Sequence, residues 1–418
     1  MIDPCSLEAK PLLPVDDALA RIKASLDAVI DTEIVTLGVA LGRVLADDVL
    51  SPINSPYDNN SAMDGYALSS KDIDCTQSFS LKLAGTSWAG KPYQGAMPPG
   101  HCIRIFTGAV MPDCADSVVI QEQVHAHGDS ILFPEGLYAY QNVRLAGEDI
   151  QQGSILCAKQ KTLTPVDLGL LASAGVSTVN VYRKLNIAFF STGDELISLD
   201  QVPQTGKIYD SNRYVLAGML AKPCYNAIDL GVIPDNKQQL EETILNAAKS
   251  SDVIITTGGA SVGDADFIQE VLERCGEVSF WKIAIKPGKP IAYGKVGSCY
   301  FFGLPGNPVS VIVTFQQIVS YALKRLSGAA ESQSLRLKVI CTSTLKKAQG
   351  RQEFQRGWLS QDANGNLQVA SAGQQGSNIL SSMSRSNCYI ILPAESKGAA
   401  MGETVTVEPF DVAINTNT

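Results

Sequence analysis

The stretch Val253-Ile254-Ile255-Thr256-Thr257-Gly258-Gly259-Ala260-Ser261-Val262-Gly263-Asp264-Ala265-Asp266 restricts the fold of this chain more than any other. Its first residues, Val253 to Thr256, form the kind of apolar run that suits a strand covered by helices on both faces of a sheet. Gly258, Gly259 and Gly263 come next. Lacking a Cβ, they can turn at positive φ and let backbone N–H groups approach a ligand closely. Asp264 and Asp266 then open a helix. N–H groups gathered at a helix mouth suit a phosphate, while glycines after a strand also serve as plain turns.

The same alternation repeats from Lys184 to Ser327. Candidate strands are Asn186–Phe190, Ala227–Val232, Val253–Thr256 and Phe280–Ile285, separated by helices near Asn212–Leu220, Lys237–Lys249 and Asp266–Arg274. Right-handed crossovers between them give a parallel, doubly wound α/β sheet, in which ligands collect beyond the carboxyl ends of the strands. Each unusual loop falls at such an end: Ser191–Leu196, Ile233-Pro234-Asp235, Thr257–Asp266, Lys286-Pro287-Gly288-Lys289-Pro290 and Leu304-Pro305-Gly306-Asn307-Pro308-Val309-Ser310.

Ahead of this region, Val15 to Leu50 reads as helical. Asp16-Asp17 can cap a helix with Ala18, Leu19, Ile22 and Leu26 on one face, and Leu37–Leu50 continues the impression. A polar loop, Asn54–Ala67, places Asp64 at the entry to a strand. Short strands with Gly/Pro turns from Phe79 to Phe133 predict a small β domain, within which Arg104–Ala109 runs from strand to turn. Asn142–Ile150 puts Arg144, Glu148 and Asp149 on one loop, where a surface ion pair is the ordinary expectation. A helix follows, with Thr164 as cap, Pro165 at its first position, Leu168, Leu171 and Ala172 as its apolar face, and Gly175 as its stop. These signals predict a β domain inserted into a discontinuous helical N-terminal domain. From about Leu335 the chain turns β-rich and carries Gly350–Gly357 and Ser381–Asn387.

The resulting plan has four parts: residues 1–50 with 147–183, an inserted 51–146, an α/β domain over 184–328, and a β-rich 329–418. Net charge of −9, from 33 basic and 42 acidic residues, argues against a general nucleic-acid or membrane surface while leaving room for a local basic pocket. No apolar run reaches the roughly 18 residues of a membrane span, and the N-terminus lacks a signal-peptide core. The 10 cysteines are scattered singly, as in a reduced cytoplasmic protein. With only His101, His125 and His127, and none beside a carboxylate motif, a zinc site or a histidine triad is not expected.

Glu195, Asp235 and Asp266 converge at strand ends beside a glycine turn suited to phosphate. Carboxylates repel a phosphate unless a cation intervenes, and Mg²⁺, which takes oxygen ligands from both, fills that role. Lys286 and Lys289, spaced by Pro287-Gly288, offer a second, basic anion pocket that Arg351 can reach. The rigid Leu304–Pro308 turn suits an oxyanion held by N–H groups and Ser310. The residues themselves leave the second anion unidentified.

Taken in order, the segments SPINSPYDNNSAMDGYA, FTGA, NVRLAGED, STGDEL, IYDSN, TTGGASVGDADF, FWKIAIKPGKPIAYG, FGLPGNPVSV and GRQEFQRG, between Ser51 and Gly357, resemble the molybdopterin molybdenumtransferase family, the MoeA type shared with the gephyrin E domain. Ala260 and Leu145-Ala146 depart from the family pattern without touching an ionisable position. The resemblance implies a cytoplasmic enzyme that takes adenylylated molybdopterin and molybdate, cleaves the phosphoanhydride with Mg²⁺, releases AMP and leaves molybdenum on the dithiolene. It also implies an elongated homodimer with its site between the α/β domain of one subunit and the β insertion of the other. The molybdopterin adenylyltransferase is then a candidate partner.

Position by position, the resemblance makes Asp64, Thr107, Asp149, Glu195, Asp235, Asp266, Lys282 and Lys286 catalytic, with Glu195, Asp235 and Asp266 around the metal. Arg144, Thr257, Gly258, Gly259, Ser261, Val262, Gly263, Pro305 and Pro308 would bind adenylylated molybdopterin. Lys286, Lys289, Pro290, Ser310, Arg351 and Ser382 would surround molybdate. Two other functions share parts of the pattern. A nucleotide hydrolase of the CinA type uses a similar α/β module but lacks the Ser51–Ala67 loop and the β-rich tail. A gephyrin-like scaffold shares the architecture, yet the full set of acidic and basic loops favours the enzyme.

Overall fold

A computed structural model describes residues 12–28, 31–71, 76–258 and 267–410. The chain divides into two compact units, one made of residues up to 33, 42–44 and 182 onward, the other of residues 34–41 and 45–181. Helix α1 (Val15–Ser25) opens the described chain and buries Val15, Ala18 and Ile22. Asp16 and Asp17 lie inside its first turn, favourable to the helix dipole, and Pro14 takes the cap position without a side-chain bond.

Leu37–Leu50 is not the helix its apolar spacing suggests. Only Leu37–Val39 turns, as one 3₁₀ turn, and Val49–Leu50 is extended. Gly42 sits at φ +69°, where an added Cβ would come 2.8 Å from Pro223 Cγ. Leu45 and Ala46 donate instead to the carbonyls of Lys161 and Asn180. Ala40 and Leu45 thereby share a core with Cys157, Leu163, Leu171, Val179 and Val181.

The same unit contains a six-stranded sheet built from β1 (Gly65–Leu68), β2 (Phe79–Ser87), β3 (His101–Ile105), β4 (Ser117–Ile120), β5 (His125–His127) and β6 (Ser130–Phe133), in the order β4-β1-β3-β2-β6-β5. It buries one cluster around Ala67, Ile103 and Ile105 and another around Leu68, Cys102 and Phe133. Helix α2 (Pro165–Ser173) starts at a capping box in which Thr164 and Asp167 satisfy each other's backbone N–H groups.

In the other unit, β7 (Leu185–Thr192), α3 (Ser211–Leu220), β8 (Tyr225–Ile233), α4 (Lys237–Ala248), β9 (Val253–Thr257), α5 (Phe267–Cys275), β10 (Glu277–Lys282), β11 (Ile285–Lys286), β12 (Pro290–Val296) and β13 (Cys299–Leu304) follow in turn. The sheet order is β8-β7-β9-β13-β12-β10. Its first four strands are parallel, whereas β12 is antiparallel to both β13 and β10. The fourth parallel strand is thus β13, and the expected Phe280–Ile285 strand breaks into the edge strand β10 and the separate β11.

Alternating residues of each central strand face opposite cores. Ile187, Phe189, Val253, Ile255 and Phe302 join α1, α3 and α6 (Pro308–Thr314) on one face. Ala188, Phe190, Ile254 and Phe301 meet α4 and α5 on the other. This two-sided burial is why the strands read as unbroken apolar runs. After α6 the chain continues as a π turn and further helix to Leu326. Among the strands that follow are β14 (Leu337–Cys341), β15 (Gln352–Gln361), β16 (Leu367–Ser371), β17 (Cys388–Leu392) and β18 (Thr404–Pro409). They pair as β15-β16-β14-β18-β17, and a β15–β17 pairing closes the ring into a barrel around Val339, Val369, Ile390 and Val407.

Candidate functional site

Strand register gathers the expected loops at one edge of the α/β sheet. Thr192 pairs with Ile233, Ser191 with Thr257, and Thr257 with Leu304. Because β10 runs antiparallel to β12, and β12 to β13, the carboxyl end of β10 lies at this edge too, with Lys282 opposite Pro290. Gly258 holds φ +85°, and a Cβ there would sit 2.5 Å from the Thr192 carbonyl oxygen, so the turn out of β9 requires glycine. Gly259, Ser261, Val262, Gly263 and Asp266 lie outside the described residues.

A buried polar network runs beneath this edge. The Ser191 hydroxyl donates to Asp210 Oδ1 at 3.0 Å and lies 2.9 Å from Thr257 Oγ1. Asp210 also caps α3 by accepting from the Arg213 N–H, and Asn212 Nδ2 donates to the Gly306 carbonyl at 2.7 Å. Asp210 Oδ2 and Asn212 Oδ1 are buried without a hydrogen-bond donor, and Arg213 Nε lies 3.9 Å from Asp210 Oδ2 as an ion-pair partner. Asn212 Oδ1, buried with no donor, is an acceptor that a water or a donor-bearing ligand can satisfy. The sequence places Asp210 and Asn212 in the IYDSN segment and starts a helix near Asn212, but it gives neither a role in the site, although Asp-Ser-Asn before an apolar run is a helix-cap signal.

Asp235 closes the next loop. Its Oδ1 accepts from Thr192 Oγ1 at 2.6 Å, while Asp194 and Asp235 exchange backbone-to-carboxylate bonds at 3.4 and 3.2 Å. Glu195 is exposed, and its carboxylate lies over Gly193, where a Cβ would come 2.5 Å from Glu195 Oε2. Among the described residues no three His, Cys, Asp or Glu side chains form a metal-binding group. Those that do meet here present only oxygen donors.

At the far end of the edge, β11 pairs in parallel with β15 and sets Lys286 beside Glu353. Lys286 Nζ lies 2.8 Å from Glu353 Oε1, and Gln355 Nε2 donates to Glu353 Oε2 at 2.9 Å. The Glu353 side chain is 4% exposed against 42% for Lys286. Gly288, at φ +105°, packs so closely that a Cβ would meet Thr314 Oγ1 at 2.7 Å, which seats the Lys286–Lys289 turn against α6 and the buried Ser310. Lys282 and Lys289 are exposed, and Arg351 is half-buried.

Lys347 donates to the carbonyls of Ala348, Ala394 and Ser396. Burial pulls its ammonium below the usual range; Glu353 and Glu395 oppose that, and Lys286 and Arg351 add to it. Lys286, Lys347 and Arg351 therefore share one electrostatic neighbourhood around Glu353. Glu353 lies in the GRQEFQRG segment without a role assigned to it there, and Lys347 lies in none of the quoted segments. Ser382 is fully buried: its hydroxyl donates to the Ile379 carbonyl at 2.7 Å and accepts from Arg356 Nε at 3.0 Å.

In the other unit, Asp64 precedes β1 and Thr107 follows β3. The Thr107 backbone N–H and hydroxyl both donate to Asp64 Oδ1 at 2.8 Å, holding this exposed carboxyl below the usual carboxylate range. Arg144 pairs in a short ladder with Asn60, and the Asp149 N–H donates to the Ser55 carbonyl. No ion pair forms within this loop. Glu148 instead accepts from the Leu145 N–H at 2.9 Å.

Three family models match in sequence order. They are the MoeA N-terminal region (domain I and II) over residues 13–175, a probable molybdopterin binding domain over 188–325, and the MoeA C-terminal region (domain IV) over 338–410. The chain is 44% identical over 402 residues to a molybdopterin molybdenumtransferase of Haemophilus influenzae, covering 96% of this chain and 99% of that protein. It is 32% identical to a gephyrin of Dictyostelium discoideum, over 94% of this chain and 62% of that one. Among solved structures, a molybdopterin biosynthesis moeA protein from Pyrococcus horikoshii superposes with a TM-score of 0.83 at 30% identity, covering 96% of this chain and all of that one.

Proposed function

Given that the chain belongs to the molybdopterin molybdenumtransferase family, we propose that its α/β edge binds adenylylated molybdopterin and its basic end binds molybdate, with molybdenum insertion coupled to release of AMP. The observation that carries this reading is the strand edge itself. One register line joins Asp235 and Thr192, the Gly258 turn, and the Lys282–Pro290 pair next to Lys286. An acidic, phosphate-suited end and a basic end thus belong to a single surface.

Lys286, Lys289 and Arg351 supply the charge for a dianion, and Ser310 supports the turn that carries the lysines. Glu353 fixes the Lys286 ammonium, and Ser382 acts through Arg356. Holding the oxyanion beside the dithiolate converts a bimolecular encounter into a local one. Thr257, Gly258 and the glycines after them receive the phosphates, and Pro305 and Pro308 stiffen the opposite turn. Glu195, Asp235 and Asp266 would hold Mg²⁺, to which their all-oxygen chemistry is suited. When bound, that ion supplies charge neutralisation for the departing phosphate. Asp64, Thr107, Arg144 and Asp149 complete the site from the neighbouring subunit of a homodimer. The precursor comes from the molybdopterin adenylyltransferase in the cytoplasm. No described helix is long and apolar enough to cross a membrane.

The test is to incubate the protein with adenylylated molybdopterin, Mg²⁺ and molybdate while following AMP. Wild type is expected to release AMP only when molybdate is present. Lys286→Ala should raise the molybdate requirement at least tenfold, and Asp235→Asn or Asp266→Ala should abolish release without unfolding the chain. Full turnover in all three variants would overturn the assignment.

A further inference from the structure

Beside Asp64 stands a row of rings and charge that no catalytic role uses. The Trp88 and Phe106 rings are stacked, 4.2 Å between centroids and 11° from parallel. The Arg104 guanidinium lies 4.8 Å from the Phe106 centroid and 4.9 Å from that of Tyr66. Arg104 is itself fixed, donating to the Gly65 carbonyl at 2.9 Å and to Gln121 Oε1. Trp88 exchanges both backbone bonds with Lys91 across a tight turn that Gly90 completes at φ +78°, and the Phe106 N–H donates to the Ser87 carbonyl. Both strand ends are therefore pinned. Yet Trp88 remains 52% exposed, and neither Trp88 nor Phe106 belongs to the apolar cores of this unit.

A large aromatic side chain held rigidly with much of its surface in water is organised for a contact made outside the core. Stacking against such a ring costs little ordering, because the protein has already fixed it. The residue after Phe106 is Thr107, which aims two donors at Asp64 and keeps that carboxylate ionised. An ionised carboxylate only accepts hydrogen bonds, so it suits the amino-bearing edge of a nitrogen heterocycle.

We propose that Trp88, backed by Phe106 and Arg104, is a stacking site for a planar amino-substituted heterocycle of the substrate, with Asp64 accepting from the edge of that ring. This rests on the reading that the chain acts on an adenylylated pterin, which contains two such heterocycles, the adenine and the pterin. Trp88, Phe106 and Arg104 determine where the substrate lies and take no part in bond breaking.

The chain has three tryptophans, so Trp281→Phe with Trp358→Phe leaves Trp88 as the only indole. AMP and 6-hydroxymethylpterin are titrated separately against this protein by fluorescence, and against wild type by calorimetry. Saturable quenching of Trp88 by AMP alone assigns adenine to the site, and by the pterin alone assigns the pterin. Trp88→Ala should weaken binding of the responsive compound about ten- to a hundredfold, the range for loss of one base–aromatic stack, while Trp88→Phe keeps most of it. The proposal is overturned if neither compound alters Trp88 emission, if Trp88→Ala binds as wild type does, or if the emission follows protein concentration rather than ligand, as a self-association contact would. Unchanged binding by Trp88→Ala in a protein that still releases AMP defeats the stacking site alone. Heterocycle binding without molybdate-dependent AMP release defeats the transferase reading alone.

Discussion

Replacing Lys286 with methionine and Glu353 with glutamine, singly and together, isolates the pair that ties the strand edge to the barrel. The two partners are unequal: the Glu353 side chain is 4% exposed and that of Lys286 42%. Lys286→Met keeps the length of the side chain but leaves a buried carboxylate with only the Gln355 amide as donor. Removing one partner of a fully buried pair costs about 3–5 kcal/mol. Because water reaches the lysine side, about 2–3 kcal/mol is expected here. Glu353→Gln leaves a cation that can turn to solvent, at about 1 kcal/mol or less. The double variant should recover to within about 1 kcal/mol of wild type, since a neutral amide beside Gln355 carries no unpaired charge. A chain of two units does not unfold in one step, so a global midpoint is the wrong readout. Hydrogen exchange of a peptide covering β15, Gln352–Gln361, reports the local opening directly. At 1.4 kcal/mol per decade, protection there should fall roughly 30- to 150-fold in Lys286→Met and about fivefold or less in Glu353→Gln. Equal effects of the two single changes, or a double variant worse than Lys286→Met, would refute the claim that an unpaired buried carboxylate is what destabilises.

Three further outcomes follow from local geometry. Gly258→Ala forces a side chain into φ +85° with its methyl 2.5 Å from the Thr192 oxygen; it should cost about 1–3 kcal/mol and abolish AMP release, whereas Gly306→Ala, with no neighbour nearer than 3.9 Å, should change the local opening free energy read by hydrogen exchange by no more than about 0.5 kcal/mol. Thr107→Val removes one of the two donors on Asp64 and keeps the backbone N–H, so a carboxyl NMR titration should show the Asp64 pKa rising partway toward its ordinary value. The sign of the pH effect follows: with its folded pKa depressed, Asp64 contributes fully above the unfolded carboxyl range and loses that contribution as pH falls through the lower folded value, and Thr107→Val should shrink this acid dependence. Thr164→Ala breaks the capping box of α2 and should cost about 1 kcal/mol, read as faster amide exchange in Pro165–Ser173.

What the sequence revealed and what it concealed divide along the range of the interactions. The α/β region was legible because each central strand is buried on both faces. Residues such as Ile187 and Ala188 enter opposite cores, so both must be apolar and the run is continuous. Its loops were legible because glycine, proline and charge cluster wherever such strands end. Leu37–Leu50 misled because apolar residues at 37, 41 and 45 imitate a helical face, while the backbone bonds that settle the matter go to Lys161 and Asn180, more than a hundred residues away. The β12–β13 hairpin carried a local signal that went unread, a turn at Gly297 with φ +60° between two apolar runs. Glu353 had none. On its own strand it is an acid beside Phe354, and only the pairing of β11 with β15 makes it the counter-ion of a lysine 67 positions earlier. Motifs expose the groups that meet a ligand because those groups sit on short loops with their own local chemistry. The groups that hold them in place are selected across the fold, where spacing along the chain carries no information. Lys286 was therefore readable as a cation and Glu353 was not readable as its anchor. If that division holds, the supporting contacts of this site will continue to come from strand register rather than from motif.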